Sequence, residues 1–97
     1  MEELIKYLNA KFGSVNESYT YTEGKQYNKV IRTAWQQGSA YAFVARNTFE
    51  NRGMGRVTDG DVFKASSWSV PAKHARATLA DHSTWEKLGA YSPVYLK

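Results

Sequence analysis

The stretch from Tyr27 to Phe49 is predicted to form two β-strands joined by a polar turn, although its apolar and polar positions define an apolar face only weakly. β-Branched and aromatic residues lie on both sides of the sequence Gln36-Gln37-Gly38-Ser39, a composition typical of a hairpin. Gly38 is a residue that accepts a positive φ angle in such a turn. We therefore expect the sheet of this protein to be organised around this hairpin.

Helical spacing of apolar residues predicts an N-terminal helix over residues 2–12. The residues on its apolar face are Leu4, Ile5, Leu8 and Phe12. Glutamates occupy the first turn and Lys11 the last, as the helix dipole favours. Gly13 then provides a C-terminal stop. The apolar face is expected to pack on the sheet.

Two shorter segments indicate further strands. Residues 19–22 alternate tyrosine and threonine, which are strand-favouring side chains, so a strand is predicted near 18–22. The pair Asp59-Gly60 lies between short apolar runs within residues 57–64, which predicts a turn and at least one more strand.

The C-terminal third is interpreted as mainly helical. Pro71 precedes the alanine-rich segment Ala72–Ala80, and proline is well tolerated in the first turn of a helix. Ser83-Thr84-Trp85-Glu86 has the spacing of a capping box, so a short helical turn is predicted at 84–88. Pro93 limits the segment 91–96 to an edge strand or an extended conformation.

These elements predict a single α+β domain over residues 1–97, which is a typical length for one domain. The expected architecture is an N-terminal helix packed on a small antiparallel sheet of three to five strands. One or two short helices are expected near the C-terminus. The sequence leaves open the strand register and whether an exposed strand edge pairs with a second copy.

The composition of the chain excludes several kinds of site and covalent bond. The chain has no cysteine, which excludes disulfides, thiolate zinc sites and cysteine nucleophiles. No apolar run approaches the roughly 18 residues needed to span a bilayer, and the N-terminus lacks the order of a signal peptide. A cytoplasmic location without membrane association is therefore expected.

The net charge of +4 is unevenly distributed. Residues 24–56 contain six lysines or arginines and one acidic residue, whereas residues 1–23 contain two basic and four acidic residues. A local positive field favours acidic partners, either phosphate or protein carboxylate. Tyr, Trp and Arg dominate interface energetics. The partner-binding residues predicted on this basis are Arg32, Trp35, Tyr41, Arg46, Arg52 and Arg56.

A second basic cluster follows Trp68 and comprises Lys73, His74 and Arg76. It can be interpreted as a phosphate-binding helix start, as a solvated helix face, or as the source of a general acid in a metal-independent ribonuclease using His74. A ribonuclease needs a second acid or base close in space, and the sequence offers only Asp81 and His82 nearby.

No catalytic residue, metal site or cofactor is predicted. Asp59 and Asp61 flank Gly60 but lack the following glutamate of a calcium loop, so they are interpreted as turn formers. Two histidines, His74 and His82, are too few for a zinc site without carboxylate ligands. The loop 52–56 can be interpreted as an anion-binding loop or as a solvated tip, and its glycines match neither phosphate-loop nor dinucleotide-binding spacing.

Part of the hairpin resembles the RNA-recognition motif. The segment Ser39–Arg46 places Tyr41 and Phe43 one residue apart, as in the aromatic strand on which that family stacks bases. The segment lacks the leading basic residue, the glycine and the final aromatic residue of the motif. The resemblance implies single-stranded nucleic-acid binding, and the alternative is that both rings pack within the core or across strands.

The segment Ala65–Arg76 resembles a stretch found in short uncharacterised bacteriophage proteins. The resemblance implies a phage accessory protein acting inside the host, a class that often binds and disables a host or defence complex.

The leading hypothesis is a non-enzymatic binding protein with an acidic protein partner. Single-stranded nucleic-acid binding is the alternative, and ribonuclease activity is a third hypothesis.

Overall fold

The computed structural model describes residues 1–51, 53, 55–68 and 70–89, without the side chains of residues 73, 74, 76 and 87. One α-helix and seven strands lie in these ranges, followed by a short 3₁₀ helix. In chain order the elements are α1 (Glu2–Phe12), β1 (Glu17–Glu23), β2 (Tyr27–Ala34), β3 (Gln37–Ala45), β4 (Phe49–Asn51), β5 (Gly55–Val57), β6 (Asp61–Ala65), β7 (Pro71–Thr78) and the 3₁₀ helix (His82–Lys87).

Five of the strands form one antiparallel sheet in the order β1-β2-β3-β6-β7, and β4 pairs with β5 in a separate hairpin. The expected α+β class is confirmed. The β-structure is larger than expected, because the small hairpin and β7 add to the predicted sheet. The helical content near the C-terminus is smaller than expected, since only the 3₁₀ helix is present there within the described residues.

Helix α1 forms where the apolar spacing predicts it and covers one face of the sheet. Leu4 and Leu8 are fully buried in a cluster with Tyr19, Val30 and Val44. The helix ends at Gly13 because the chain passes close to its last turn. A Cβ atom at that position would lie 2.4 Å from the carbonyl oxygen of Asn9, so a side chain would force the backbone apart.

The opposite face of the sheet has a smaller core at one end. Ala45, Val57 and Phe63 are buried there. The ring of Tyr27 makes edge contacts with the rings of Phe43, Phe49 and Phe63, at centroid distances of 6.0, 5.6 and 6.2 Å respectively. The hairpin of β4 and β5 contributes Phe49 and Val57, so it covers only this end of the face.

The segment Ala72–Ala80, predicted to be helical, is mostly strand β7. Its partner is β6, where Val62 lies opposite Ala77 and Phe63 opposite Ala75. Pairing with an apolar strand outweighs the helix propensity of the alanines, because propensity is weaker than tertiary packing. Pro71 occupies the first strand position, which tolerates proline.

Two local predictions in this half of the chain are confirmed. Gly60 adopts φ +91° between β5 and β6, as the Asp-Gly turn requires. The helical turn predicted at 84–88 is the 3₁₀ helix, although its cap is Asp81, whose carboxylate accepts hydrogen bonds from the Ser83 N–H (3.0 Å) and hydroxyl (2.7 Å). These bonds lower the pKa of Asp81. The predicted edge strand at 91–96 lies outside the described residues.

The turn between β2 and β3 lies two residues earlier than predicted. Its central residues are Trp35 and Gln36, with φ angles of 53° and 68°, whereas Gly38 belongs to β3. Positive φ at both central positions is the feature of a type I′ turn, which normally uses Asn-Gly. Side chains with a Cβ are strained there, so this turn stores backbone strain at a residue with a large exposed ring.

Replacing this turn by its preferred residues is expected to stabilise the protein. Trp35→Asn/Gln36→Gly should raise the free energy of unfolding by about 1–2 kcal/mol, because asparagine and glycine tolerate positive φ. Urea unfolding provides the measurement. Trp35→Ala is the control, since it removes the indole but retains the Cβ. A double variant no more stable than this control would show that the turn is unstrained.

Asn9 of α1 closes part of the free edge of β1. Its side-chain amide donates to the Tyr19 carbonyl (2.9 Å), and its side-chain oxygen accepts from the Tyr19 N–H (2.8 Å). These two backbone groups of an edge strand would otherwise be available to another strand. The amide therefore attaches the helix to the sheet and blocks edge pairing at this position.

Asn9→Ala should lower the free energy of unfolding by about 2 kcal/mol, because two backbone groups of Tyr19 lose their partners. Chemical denaturation measures the change. Asn47→Ala is a matched control in the exposed loop after β3 and should cost less than about 0.5 kcal/mol. Equal effects of the two substitutions would contradict the role assigned to the Asn9 amide.

Candidate binding surface on the open sheet face

Two of the predicted arginines, Arg32 and Arg56, lie in different parts of the fold. Arg32 lies opposite Tyr19 on the face that α1 covers, is only 12% exposed, and pairs with Glu17 at 3.1 Å. Arg56 lies in β5 and faces Glu50 at 4.0 Å. Both guanidinium groups therefore have carboxylate partners within the chain, and the two arginines belong to different sheets.

Arg46 lies at the other end of the sheet, beside the turn between β1 and β2. Its guanidinium donates to the Gly24 carbonyl oxygen and lies 3.6 Å from the Glu23 carboxylate. Trp35 is at the opposite end of β2, roughly 25 Å away at about 3.3 Å per strand residue. Arg46 and Trp35 therefore lie at opposite ends of the sheet.

Tyr41 was predicted on the binding surface and is instead a core residue. It is 1% exposed, and its hydroxyl donates to the Gly89 carbonyl at 2.7 Å. Its ring contacts the Tyr19 ring edge-on at 5.3 Å. Burial, reinforced by the neighbouring Tyr19 and Tyr7, raises the pKa of the Tyr41 phenol far above its ordinary value, so the hydroxyl remains a donor.

A bulge in β3 separates the two aromatic residues that resemble the RNA-recognition motif. The strand register shifts at Val30/Ile31, whose partners are Ala42 and Ala40, so Tyr41 has no direct partner in β2. Tyr41 packs in the cluster under α1. Phe43 lies opposite Lys29 and contacts Tyr27 on the other face. The two rings therefore do not form one stacking platform.

The remaining predicted site residues cannot be placed on a surface. Arg52 lies outside the described residues. The secondary basic cluster, Lys73, His74 and Arg76, falls within β7, and its side chains also lie outside the description.

A different candidate surface is present on the sheet face opposite α1. We call it the open sheet face, formed by Thr20, Thr22, Lys29, Ile31 and Trp68. The register pairs Thr20 with Ile31 and Thr22 with Lys29, and cross-strand partners point to the same side of a sheet. The hairpin of β4 and β5 packs beside Tyr27, whereas Thr20 and Thr22 are exposed.

Lys29 and Trp68 form the centre of this face. The Lys29 Nζ lies 3.9 Å from the centroid of the Trp68 ring, a distance at which a cation is attracted to the π-face. Trp68 is still 52% exposed. The loop bearing Trp68 is closed by hydrogen bonds from the Ser66 and Ser67 N–H groups to the Val70 carbonyl, at 2.8 and 3.2 Å.

A groove of about 400 Å³ continues from Lys29 to the turn between β1 and β2. We call it the lysine groove; its side-chain lining includes Thr22, Glu23, Lys25, Tyr27, Lys29 and Phe43. Burial raises the pKa of the Tyr27 phenol, a group that is uncharged at neutral pH even at its ordinary pKa. Arg46 lies at the end of the groove through its contacts with Glu23 and Gly24.

The groove combines positive charge with aromatic surface in a concave site. Lys25 and Lys29 have no ion-pair partner within the described ranges, whereas Glu23 is opposed by Arg46. An acidic group entering the groove would therefore meet two lysines not engaged with carboxylates. Loops and clefts of this kind bind ligands more often than flat sheet surfaces do.

Sequence reasoning missed Lys29 and Trp68 as site residues. Lys29 alternates with Tyr27 and Ile31 along the strand, which places all three on one face, but the pattern does not reveal that part of this face is uncovered. Trp68 lies among serines, a signal for an exposed loop. Their contact depends on the β6–β7 loop folding back over β2, which no local pattern encodes.

Asp61 and His82, two of the residues weighed as metal ligands, make structural contacts. Asp61 accepts a hydrogen bond from the Thr58 N–H at 3.0 Å, consistent with its predicted role as a turn former. The ring of His82 stacks on Trp85 at 4.0 Å. Among the described residues, no cluster of three His, Asp or Glu side chains could hold a metal ion.

The described part of the chain has no helix with the length and apolar character to cross a membrane. No curated protein and no solved structure matches the chain significantly. A family model does match, over residues 2–92, and it covers most of the chain. The chain therefore belongs to DUF7717, a family of unknown function.

Proposed function

We propose that the protein is a non-enzymatic binding protein that engages an acidic protein partner through the open sheet face and the lysine groove. The observation that carries this proposal is the exposed Trp68 ring in contact with the Lys29 ammonium. Tryptophan is one of the residue types enriched at interface hot spots. A partner carboxylate could pair with the lysines while an apolar side chain packs on the indole.

The charge distribution favours a protein over a polyphosphate. Nucleic-acid binding gains most of its affinity from several cations that neutralise phosphates. Arg32, Arg46 and Arg56 each lie within 4.0 Å of a glutamate carboxylate, so their positive potential is partly compensated. The two lysines of the lysine groove suit a partner that presents a few carboxylates.

The proposed biological setting rests on the resemblance of Ala65–Arg76, the segment that contains Trp68, to a stretch of short bacteriophage proteins. The protein would be phage-encoded, act in the host cytoplasm and modulate a host or defence macromolecule. This part of the proposal rests on the resemblance and not on the surface itself.

The proposal is tested by affinity capture from the native cell, with and without nuclease treatment of the lysate. We expect a specific protein partner that remains bound after nuclease digestion. A partner that disappears with the nucleic acid would refute direct protein recognition.

Single-stranded nucleic-acid binding is the second candidate, because the exposed face of Trp68 could stack a base beside Lys29. It predicts binding to a mixed-sequence oligonucleotide that weakens steeply as salt increases. Lack of binding at low salt would exclude it. The ribonuclease hypothesis would require RNA cleavage that is lost in His74→Ala, and we expect RNA to remain intact with the wild-type protein.

A further inference from the structure

A second groove, distant from the lysine groove, lies where β1 begins and β2 ends. We call it the tip groove; its volume is about 320 Å³, and its lining includes Ser14, Asn16, Glu17, Ser18, Trp35 and Gln36. This volume is at the lower end of the roughly 300–1,000 Å³ typical of small-molecule sites. Neither the proposed protein partner nor the core packing accounts for it.

The aromatic wall of the tip groove is Trp35. Its side chain is 71% exposed, so most of the indole is available to a ligand. The residue is held at a positive φ of 53°, a conformation that side chains with a Cβ rarely adopt. Strained residues occur preferentially at functional sites. Val15, which also lines the groove, is 97% exposed and extends the apolar surface.

Backbone hydrogen bonds fix the two sides of the tip groove relative to each other. The Trp35 N–H donates to the Asn16 carbonyl at 2.9 Å. Ser14 and Glu17 exchange hydrogen bonds, with the Ser14 N–H donating at 2.9 Å and the Glu17 N–H at 3.3 Å. The groove is thus formed before any ligand arrives, which reduces the entropic cost of binding.

The polar groups of the tip groove are mostly uncharged. Its lining within the described residues contains no lysine, arginine or histidine. Its acidic residue, Glu17, accepts a hydrogen bond from the Arg32 guanidinium at 3.1 Å. A phosphate would find no free cation there, and a purely apolar ligand would leave hydroxyl and amide groups without partners.

A sugar ring satisfies both requirements. Its axial C–H groups present an apolar face that packs on an indole, and its hydroxyls both donate and accept hydrogen bonds. Ser14, Asn16 and Gln36 offer hydroxyl and amide groups beside the Trp35 ring. We propose that the tip groove binds a neutral pyranose, with one ring face on Trp35 and the hydroxyls hydrogen-bonded to these polar side chains.

The test is an NMR titration of the ¹⁵N-labelled protein with three neutral disaccharides, namely cellobiose, maltose and chitobiose. Loss of one indole N–H signal in Trp35→Ala assigns that signal to Trp35. We expect the Trp35 signal to shift saturably with at least one sugar, with a dissociation constant on the order of 1–10 mM, as suits a shallow site with few contacts.

Two variants and one charged sugar distinguish specific sugar binding in the tip groove from non-specific or phosphate-driven binding. Trp35→Ala should abolish the saturable shifts at the tip, and Asn16→Ala should weaken binding several-fold with a retained fold. Trp68→Ala, on the open sheet face, should leave sugar binding unchanged. The proposal is overturned if none of the sugars shifts the Trp35 signal, if binding persists in Trp35→Ala, or if glucose 6-phosphate binds more tightly than the neutral sugars.

Discussion

Lys29→Glu/Trp68→Ala is expected to lose most of its capacity to capture the protein partner, with affinity reduced on the order of tenfold to a hundredfold. Lys29 contributes the cation that the partner carboxylate would meet, and Trp68 contributes exposed aromatic area in contact with it. Because the two side chains touch, their separate losses should not add. Quantitative affinity capture, followed by titration with the purified partner, measures the loss.

Lys6→Glu is the matched control for charge. Lys6 is an exposed residue of α1, and its reversal changes the net charge of the chain as much as Lys29→Glu does. If long-range attraction alone drives binding, the two single reversals should weaken capture equally. The proposed surface requires Lys29→Glu to be several times more harmful, and equal effects would contradict it.

Tyr41→Ala is expected to lower the free energy of unfolding by about 3–5 kcal/mol, the range for removing a large buried ring. The ring packs against Tyr19, and the hydroxyl satisfies the Gly89 carbonyl. Tyr41→Phe should cost about 1–2 kcal/mol, because only the hydrogen bond is lost. Denaturant unfolding monitored by circular dichroism measures both changes.

Trp35→Ala provides the comparison with an exposed aromatic residue and should change stability by less than about 0.5 kcal/mol. If Tyr41 were an interface residue instead, Tyr41→Ala would leave the stability of the protein intact and would reduce partner binding. A Tyr41→Ala variant as stable as the wild type would therefore contradict the core assignment.

The raised pKa of the Tyr41 phenol also predicts that the stability of the protein falls at alkaline pH. Its pKa is raised in the folded protein, chiefly by burial, whereas an unfolded tyrosine ionises near pH 10. The stability contributed by this shift is present below about pH 10 and is lost as the pH rises above that value. Stability should fall less steeply in Tyr41→Phe over the same alkaline range.

Local features of the fold were predictable because they depend on neighbouring residues. The spacing of Leu4 and Leu8 identifies α1 with its observed bounds, and Asp59-Gly60 identifies a turn. The segment Ala72–Ala80 was misassigned because its conformation depends on pairing with β6, which is a non-local contact. The turn at Trp35 was predicted two residues too late. Neither Trp35 nor Gln36 is a residue that usually adopts positive φ in a turn, so the sequence pattern did not identify them.

The binding surface was less predictable than the fold. Charge counting correctly identified the basic middle of the chain, but it could not show that Arg32 is paired with Glu17 under the helix. Alternate positions of a strand also do not guarantee a shared face, since the β3 bulge places Tyr41 and Phe43 on opposite sides. The contact between Lys29 and Trp68 arises only when a distant loop packs over the sheet.

The most direct test of the proposed function is hydrogen exchange of the captured complex compared with the free protein. We predict that protection on binding concentrates in residues 20–31 and in the loop around Trp68. Protection that concentrates in α1 or in the turn at Trp35, with the open sheet face exchanging as in the free protein, would contradict the proposed binding surface.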